Sequence, residues 1–170
     1  MNTTRELKMN TDQISSFVQN QDCGATTVRE VLAKKSPGTW IIEAEDTVYE
    51  ALRVMAERNV GALVVVEDGY VLGVISERDY ARKVILTGKS SRETMVREIM
   101  GSPAVVVDLG TTVAHCMDLM TGRHIRHLPV VVSDVLVGCI SIGDVVKTII
   151  AEQGRRIGQF EDYIRGNYPG

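Results

Sequence analysis

Gly73-Val-Ile-Ser-Glu-Arg-Asp79 returns as Gly138-Cys-Ile-Ser-Ile-Gly-Asp144, 65 residues further on, and this pair decides how the chain is read. The same shift holds upstream. Thr47-Val48 falls on Thr112-Val113, Met55 on Met120, Arg58 on Arg123 and Leu63 on Leu128. Trp40-Ile-Ile42 falls on Val105-Val-Val107. A repeat of this period is one supersecondary unit present twice, each copy too small to bury its apolar face alone. Duplication offers two symmetry-related clefts, each with a Ser-x-x-Asp.

Working outward, each copy reads strand, helix, strand, strand, helix. In the first, Trp40–Ile42 is a short apolar strand and Thr47 an N-cap. Val48, Ala51, Leu52 and Met55 follow on one helical face. Leu63–Val66 is a β-branched run suited to a strand buried on both faces, and Glu67-Asp-Gly69 is a turn into Tyr70–Ile75. Ser76 caps a second helix reaching about Leu86 and ended by Gly88. The second copy predicts strands at Val105–Val107, Leu128–Val132 and Val135–Ile140, with Ser141 capping the last helix. Thr27-Val-Arg-Glu-Val31 resembles Met95-Val-Arg-Glu-Ile99, and both read as short approach helices leading into their copies. The expected organisation is a polar segment over 1–25, a first half over 26–88, a linker over 89–93, a second half over 94–152 and a helical extension over 153–170. Ile157, Phe160 and Ile164 continue the apolar spacing of the last helix, interrupted by Gly154 and Gly158. That face either docks on its own domain or meets a second copy.

With 44% hydrophobic and 24% charged residues the composition is that of a globular domain. A net charge of −3 gives no long-range attraction to duplex nucleic acid. No apolar run approaches the roughly 20 residues of a membrane span. The first 25 residues lack the apolar core of a secretion signal, so the cytoplasm is the expected location. Cys23, Cys116 and Cys139 form no close pair and supply no clustered metal ligands. Cys116 and Cys139 read as small core residues.

Two segments carry a family resemblance: Val60-Gly-Ala-Leu-Val-Val-Val66 leading to Gly73–Asp79, and Ile125-Arg-His-Leu-Pro-Val-Val131 leading to Gly138–Asp144. Together they resemble the paired cystathionine-β-synthase (CBS) domain, the Bateman module, in its stand-alone form, over roughly residues 26 to 152. The resemblance implies an α/β (α+β) fold of two pseudo-twofold-related βαββα halves packed sheet to sheet, assembled further as a homodimer. It implies binding of an adenine nucleotide (AMP, ADP, ATP or NAD, with S-adenosylmethionine possible) that regulates a partner protein of unknown identity. It also implies that each Asp accepts from the two ribose hydroxyls, as an acceptor-only carboxylate suits a vicinal diol.

In the crossed geometry of that family each Ser-x-x-Asp faces strands of the opposite copy. The first cleft then gathers Ser76, Arg78 and Asp79 with Ala104, Val105, Arg126, His127 and Pro129. The second gathers Ser141 and Asp144 with Thr39, Trp40, Gly61, Ala62 and Val64. Arg126 corresponds to Gly61 and Arg78 to Gly143, so the first cleft alone is expected to offer guanidinium groups to a phosphate. The second is expected to take an adenosine-like moiety or to stay empty.

Each assignment has a plainer counterpart. Ser-x-x-Asp is also a capping box, and both roles can coexist. Arg78, Arg82 and Arg126 can be solvated charges, His127 a structural imidazole and Trp40 a core or interface residue rather than a base-stacking one. Pro129 removes a backbone donor, which places it at an edge or cleft rim. The expected function is a nucleotide-sensing module without catalysis, with a ligand-free dimerisation scaffold as the alternative. An enzyme is less favoured, since no Walker loop, GxGxxG or marked triad occurs.

Overall fold

The computed structural model describes residues 6–7, 26–35 and 38–164, with side chains over 26–35 and 38–155. Cys23 lies outside the described residues, as do the side chains of Ile157, Phe160 and Ile164. The elements run β1 (Glu6–Leu7), α1 (Val28–Lys34), β2 (Thr39–Glu43), α2 (Val48–Arg58), β3 (Ala62–Glu67), β4 (Tyr70–Ser76) and α3 (Glu77–Tyr80). They continue with α4 (Val96–Ile99), α5 (Val113–Arg123), β5 (His127–Val132), β6 (Val135–Ser141) and α6 (Ile142–Ile164). One sheet has the order β1-β2-β3-β4 and the other pairs β5 with β6. The fold is thus α+β, with two βαββα-type halves.

The 65-residue repeat is written into the backbone. Thr47 and Thr112 accept from the N–H groups of Glu50 and His115 and start α2 and α5. Asn59 and His124 end those helices with φ of 52° and 54°, the left-handed C-cap. Asp68-Gly69 and Ser133-Asp134 all have positive φ, which gives both hairpins a two-residue turn matched to strand twist.

The repeat departs from symmetry in three places. After Tyr80 the first-half helix widens into a π turn over Ala81–Ile85, closed by Gly88 at φ +70°. The last helix runs unbroken through Gly154 over 23 residues. The strand expected at Val105–Val107 is reduced to one parallel bridge, Val107 to Val130. Val107 donates to the Pro129 carbonyl at 3.0 Å and accepts from Val131 at 2.9 Å. The next rung would need an N–H at Pro129, which proline lacks. In the first half Val64 occupies that place, and β2 and β3 pair over three residues.

Packing crosses the copies. Val28 and Val31 of α1 belong to the core of the second half, with Val113, Cys116, Met120, Leu128 and Ile140. Val96 and Ile99 of α4 belong to the core of the first half, with Val48, Met55, Leu63 and Ile75. Backbone bonds repeat the exchange. Val28 donates to Thr111 and Val113 to Thr26, as Val96 donates to Asp46 and Val48 to Thr94. Each approach helix therefore docks on the copy it does not precede. A third cluster, Ile41, Val64 and Val66 against Leu136, joins the two halves sheet to sheet.

Candidate functional site

Both Ser-x-x-Asp motifs sit where a strand becomes a helix, and both form complete capping boxes. Ser76 donates to Asp79 Oδ2 from its N–H at 3.1 Å and its hydroxyl at 2.6 Å, and Ser76 Oγ accepts from the Asp79 N–H at 3.3 Å. Ser141 and Asp144 repeat this at 2.8, 2.8 and 3.3 Å. The Asp79 and Asp144 side chains are only 23% and 22% exposed, so neither points into bulk solvent. The plain reading of the motif is therefore satisfied in full, and it fixes the carboxylates in place.

What differs is the cation each carboxylate holds. Lys83, one turn further along, reaches Asp79 Oδ1 at 2.9 Å and also donates to the Ile99 carbonyl at 2.6 Å. Lys35, at the end of α1, reaches Asp144 Oδ2 at 2.9 Å and the Cys139 carbonyl at 3.0 Å. Asp144 Oδ1 receives no hydrogen bond among the described residues. The second motif thus has a cation that was not expected there. Lys35 was invisible to the repeat comparison because α1 crosses to the other half.

His127 lies beside the second motif. It opens β5 opposite Ser141, and its imidazole feels both carboxylates. Burial is the largest influence and holds the imidazole below its ordinary 6.5, helped by Lys35 and opposed by Asp144, with lesser effects from Arg126 and Asp79. Burial also pushes the Asp144 carboxyl up, but the Ser141 N–H and Lys35 outweigh it and hold the group below its usual value. Cys139, behind Lys35, has its thiol pushed up to about 12 by burial and is inert as a nucleophile.

These shifts set an acid limb for stability. The unfolded chain protonates His127 more readily than the folded one, so its contribution is complete above 6.5 and is lost as pH falls through the lowered value. Asp144 loses its contribution only as pH falls below 3.8. Melting temperature should begin to fall once pH drops below 6.5, and His127→Gln should flatten that first limb. An unchanged limb in the variant would remove His127 as its source.

The other expected residues distribute as follows. The segment carrying Ala104 runs beside β4: Gly101 and Val74 exchange two backbone bonds at 3.1 and 2.8 Å, and Ala104 donates to Leu72 at 3.2 Å. Ala104 therefore lies along the strand that ends in Ser76. The backbone groups of Val105 have no hydrogen-bond partner among the described residues, and its carbonyl lacks one because Pro129 has no N–H to give. Arg78 and Arg126 are exposed, and neither pairs with a carboxylate among the described residues. The Arg126 carbonyl accepts from the Ile142 N–H at 2.8 Å, and Gly61 accepts in the same way from Glu77 at 3.1 Å. Each of these residues thus supports the helix start of its own half. Thr39 is buried, Ala62 and Val64 lie in β3, and Val64 is also buried. Trp40 packs on the first core, with the Arg58 guanidinium 4.1 Å above its ring. Its face is therefore occupied by a cation.

Among the described residues no helix is long and apolar enough to cross a membrane. The sequence pattern of the CBS domain matches residues 26–85 and again 96–151. The chain is 40% identical over 153 residues to the CBS domain-containing protein CBSX3, mitochondrial, of Arabidopsis thaliana, covering 85% of this chain and 74% of that protein. A solved protein with CBS domains from Burkholderia ambifaria superposes with a TM-score of 0.72 at 44% identity, covering 75% of this chain and 96% of that one. The CBS domain pair of protein MJ0100, solved with 5′-methylthioadenosine and S-adenosyl-L-methionine, shares the fold with a TM-score of 0.67 at 22% identity, covering 76% of this chain and 99% of that one. Two matched domains, packed about a common seam with a Ser-x-x-Asp at each strand end, place this chain in the CBS-domain family as a CBS pair.

Proposed function

We propose that this CBS pair is a non-catalytic sensor of adenine nucleotides, with AMP, ADP, ATP or NAD as the ligand class, whose occupancy biases the relative orientation of its halves. The observation that supports it most is the matched pair of carboxylates, Asp79 and Asp144, each locked by its serine at a strand end and each largely shielded from solvent. Asp79 and Asp144 act as ribose acceptors, each held rigid by its serine. The first cleft offers Arg78 and Arg126 to a phosphate, with the unpaired backbone of Val105 nearby as a donor and acceptor for a base edge. The second cleft offers Asp144 Oδ1 to a ribose hydroxyl, beside Thr39, Gly61, Ala62 and Val64. Trp40, covered by Arg58, serves as wall rather than stacking platform. A ligand bridging the halves shifts their arrangement by no more than its differential affinity for the two states.

A second copy of the chain is the natural partner for the exposed apolar side chains Ile85, Leu86, Val146 and Ile150, which are 56%, 79%, 39% and 65% exposed. Ile85 and Ile150 are repeat equivalents, so the pair offers one face twice. Sedimentation velocity of free and nucleotide-saturated protein reads this directly.

The ligand assignment is tested by calorimetry with AMP, adenosine and 2′-deoxy-AMP. Loss of one hydrogen bond to a charged acceptor is worth about 1.5–3 kcal/mol, or roughly 10- to 150-fold in affinity. The deoxy compound should bind correspondingly more weakly, and Asp144→Ala should erase the difference in the second cleft. Equal binding of AMP and its deoxy analogue would end the ribose assignment. Absence of binding across the panel would favour a ligand-free scaffold, and consumption of ligand would favour an enzyme.

A further inference from the structure

A groove between α1 and α6 carries charge that the ribose reading does not use. It has a volume of about 290 Å³ and brings together Lys34, Lys35, Asp144, Lys147 and Arg155 beside Thr148. That is four cations against one carboxylate, and Asp144 is already held by Lys35 at 2.9 Å. Lys34, Lys147 and Arg155 pair with no carboxylate among the described residues. Glu152, on the same helix, is turned away and accepts from the Thr26 N–H at 3.2 Å. Lys147, Ala151 and Arg155 recur at four-residue intervals after Asp144, so they form one stripe along α6. The stripe is about 12 Å long at 1.5 Å rise per residue.

Crowding like charges along a groove is unfavourable until an anion enters, and the array is linear where a single carboxylate would need only a point. Lysines supply point charges and Arg155 a planar fork for phosphate oxygens. We propose that this groove binds a chain of phosphates, the oligophosphate tail of the ligand whose ribose Asp144 accepts. The proposal rests on that ribose reading. It gives the second motif a preference for a polyphosphorylated nucleotide, because the groove begins at the ribose acceptor itself and leads away from it.

The test compares AMP, ATP and inorganic triphosphate by calorimetry, without divalent metal and at fixed ionic strength. The proteins are wild type and the double variant Lys147→Ala/Arg155→Ala. Both side chains are exposed, so the unliganded variant should keep its melting temperature. ATP should bind wild type about ten-fold or more tightly than AMP. The double variant should remove that advantage and leave AMP affinity in place. Inorganic triphosphate should bind wild type and lose affinity in the variant. Triphosphate binding with no AMP binding would uphold the groove and overturn the ribose assignment. AMP binding with no gain for ATP, or with equal losses for both nucleotides in the variant, would overturn the groove.

Discussion

Val28→Asp should open the core around Cys116, in the half of the chain that Val28 does not precede. Val28 is fully buried, in the same core cluster as Val113, Cys116, Met120 and Ile140. A carboxylate there finds no partner, and burying an unpaired charge costs at least about 4 kcal/mol even after the group neutralises itself by taking up a proton. That is a large fraction of the roughly 5–15 kcal/mol that a domain commands. The readout is alkylation of Cys116, whose residue is also fully buried, under native conditions and mapped by mass spectrometry. Val96→Asp is the matched control, because Val96 is fully buried in the other core. Fast labelling of Cys116 in the first variant and slow labelling in the second is the expected result. The reverse order would show that the approach helices dock on their own copies.

Gly73→Ala should be far more damaging than Gly138→Ala, although the two glycines are repeat equivalents. A Cβ at Gly73 would stand 2.6 Å from the Gly101 carbonyl oxygen and 2.9 Å from Met100 Sδ. That carbonyl is fixed by the paired backbone bonds between Gly101 and Val74, so relief means breaking the bridge. Overpacking plus lost hydrogen bonds gives about 2–4 kcal/mol, or a melting temperature lower by about 5–15 °C for a chain of this size. At Gly138 the nearest atoms are the Leu32 methyls at 2.8 and 2.9 Å. A side-chain end can swing aside for about 0.5–1.5 kcal/mol. Equal melting temperatures for the two variants would contradict the account of the Gly101 clamp.

Much of this architecture was legible from residue order. The constant shift identified the two units, their hairpins and both Ser-x-x-Asp motifs, because turn chemistry and period-two burial are local. What escaped was relational. The apolar spacing of Val28 and Val31 announces a buried face but is silent on which core receives it. Lys35 and its contact with Asp144 were lost with that destination. Pro129 was recognised as a missing donor, yet its cost fell on Val105–Val107, a segment whose own residues favour a strand. The π turn at Ala81–Ile85 left no mark in the sequence. Gly154, suspected as a break, sits within a continuous helix, since one glycine costs only about 1 kcal/mol relative to alanine.

The crossed seating of α1 also fixes an order of events during synthesis. This helix is translated before the acceptors of its first N–H groups, Leu109 and Thr111. Val28 and Val31 must therefore wait in water while the polypeptide that will shelter them is still being made, against the usual rule that amino-terminal parts finish first. Docking of α1 thus follows translation of the second half and cannot precede it.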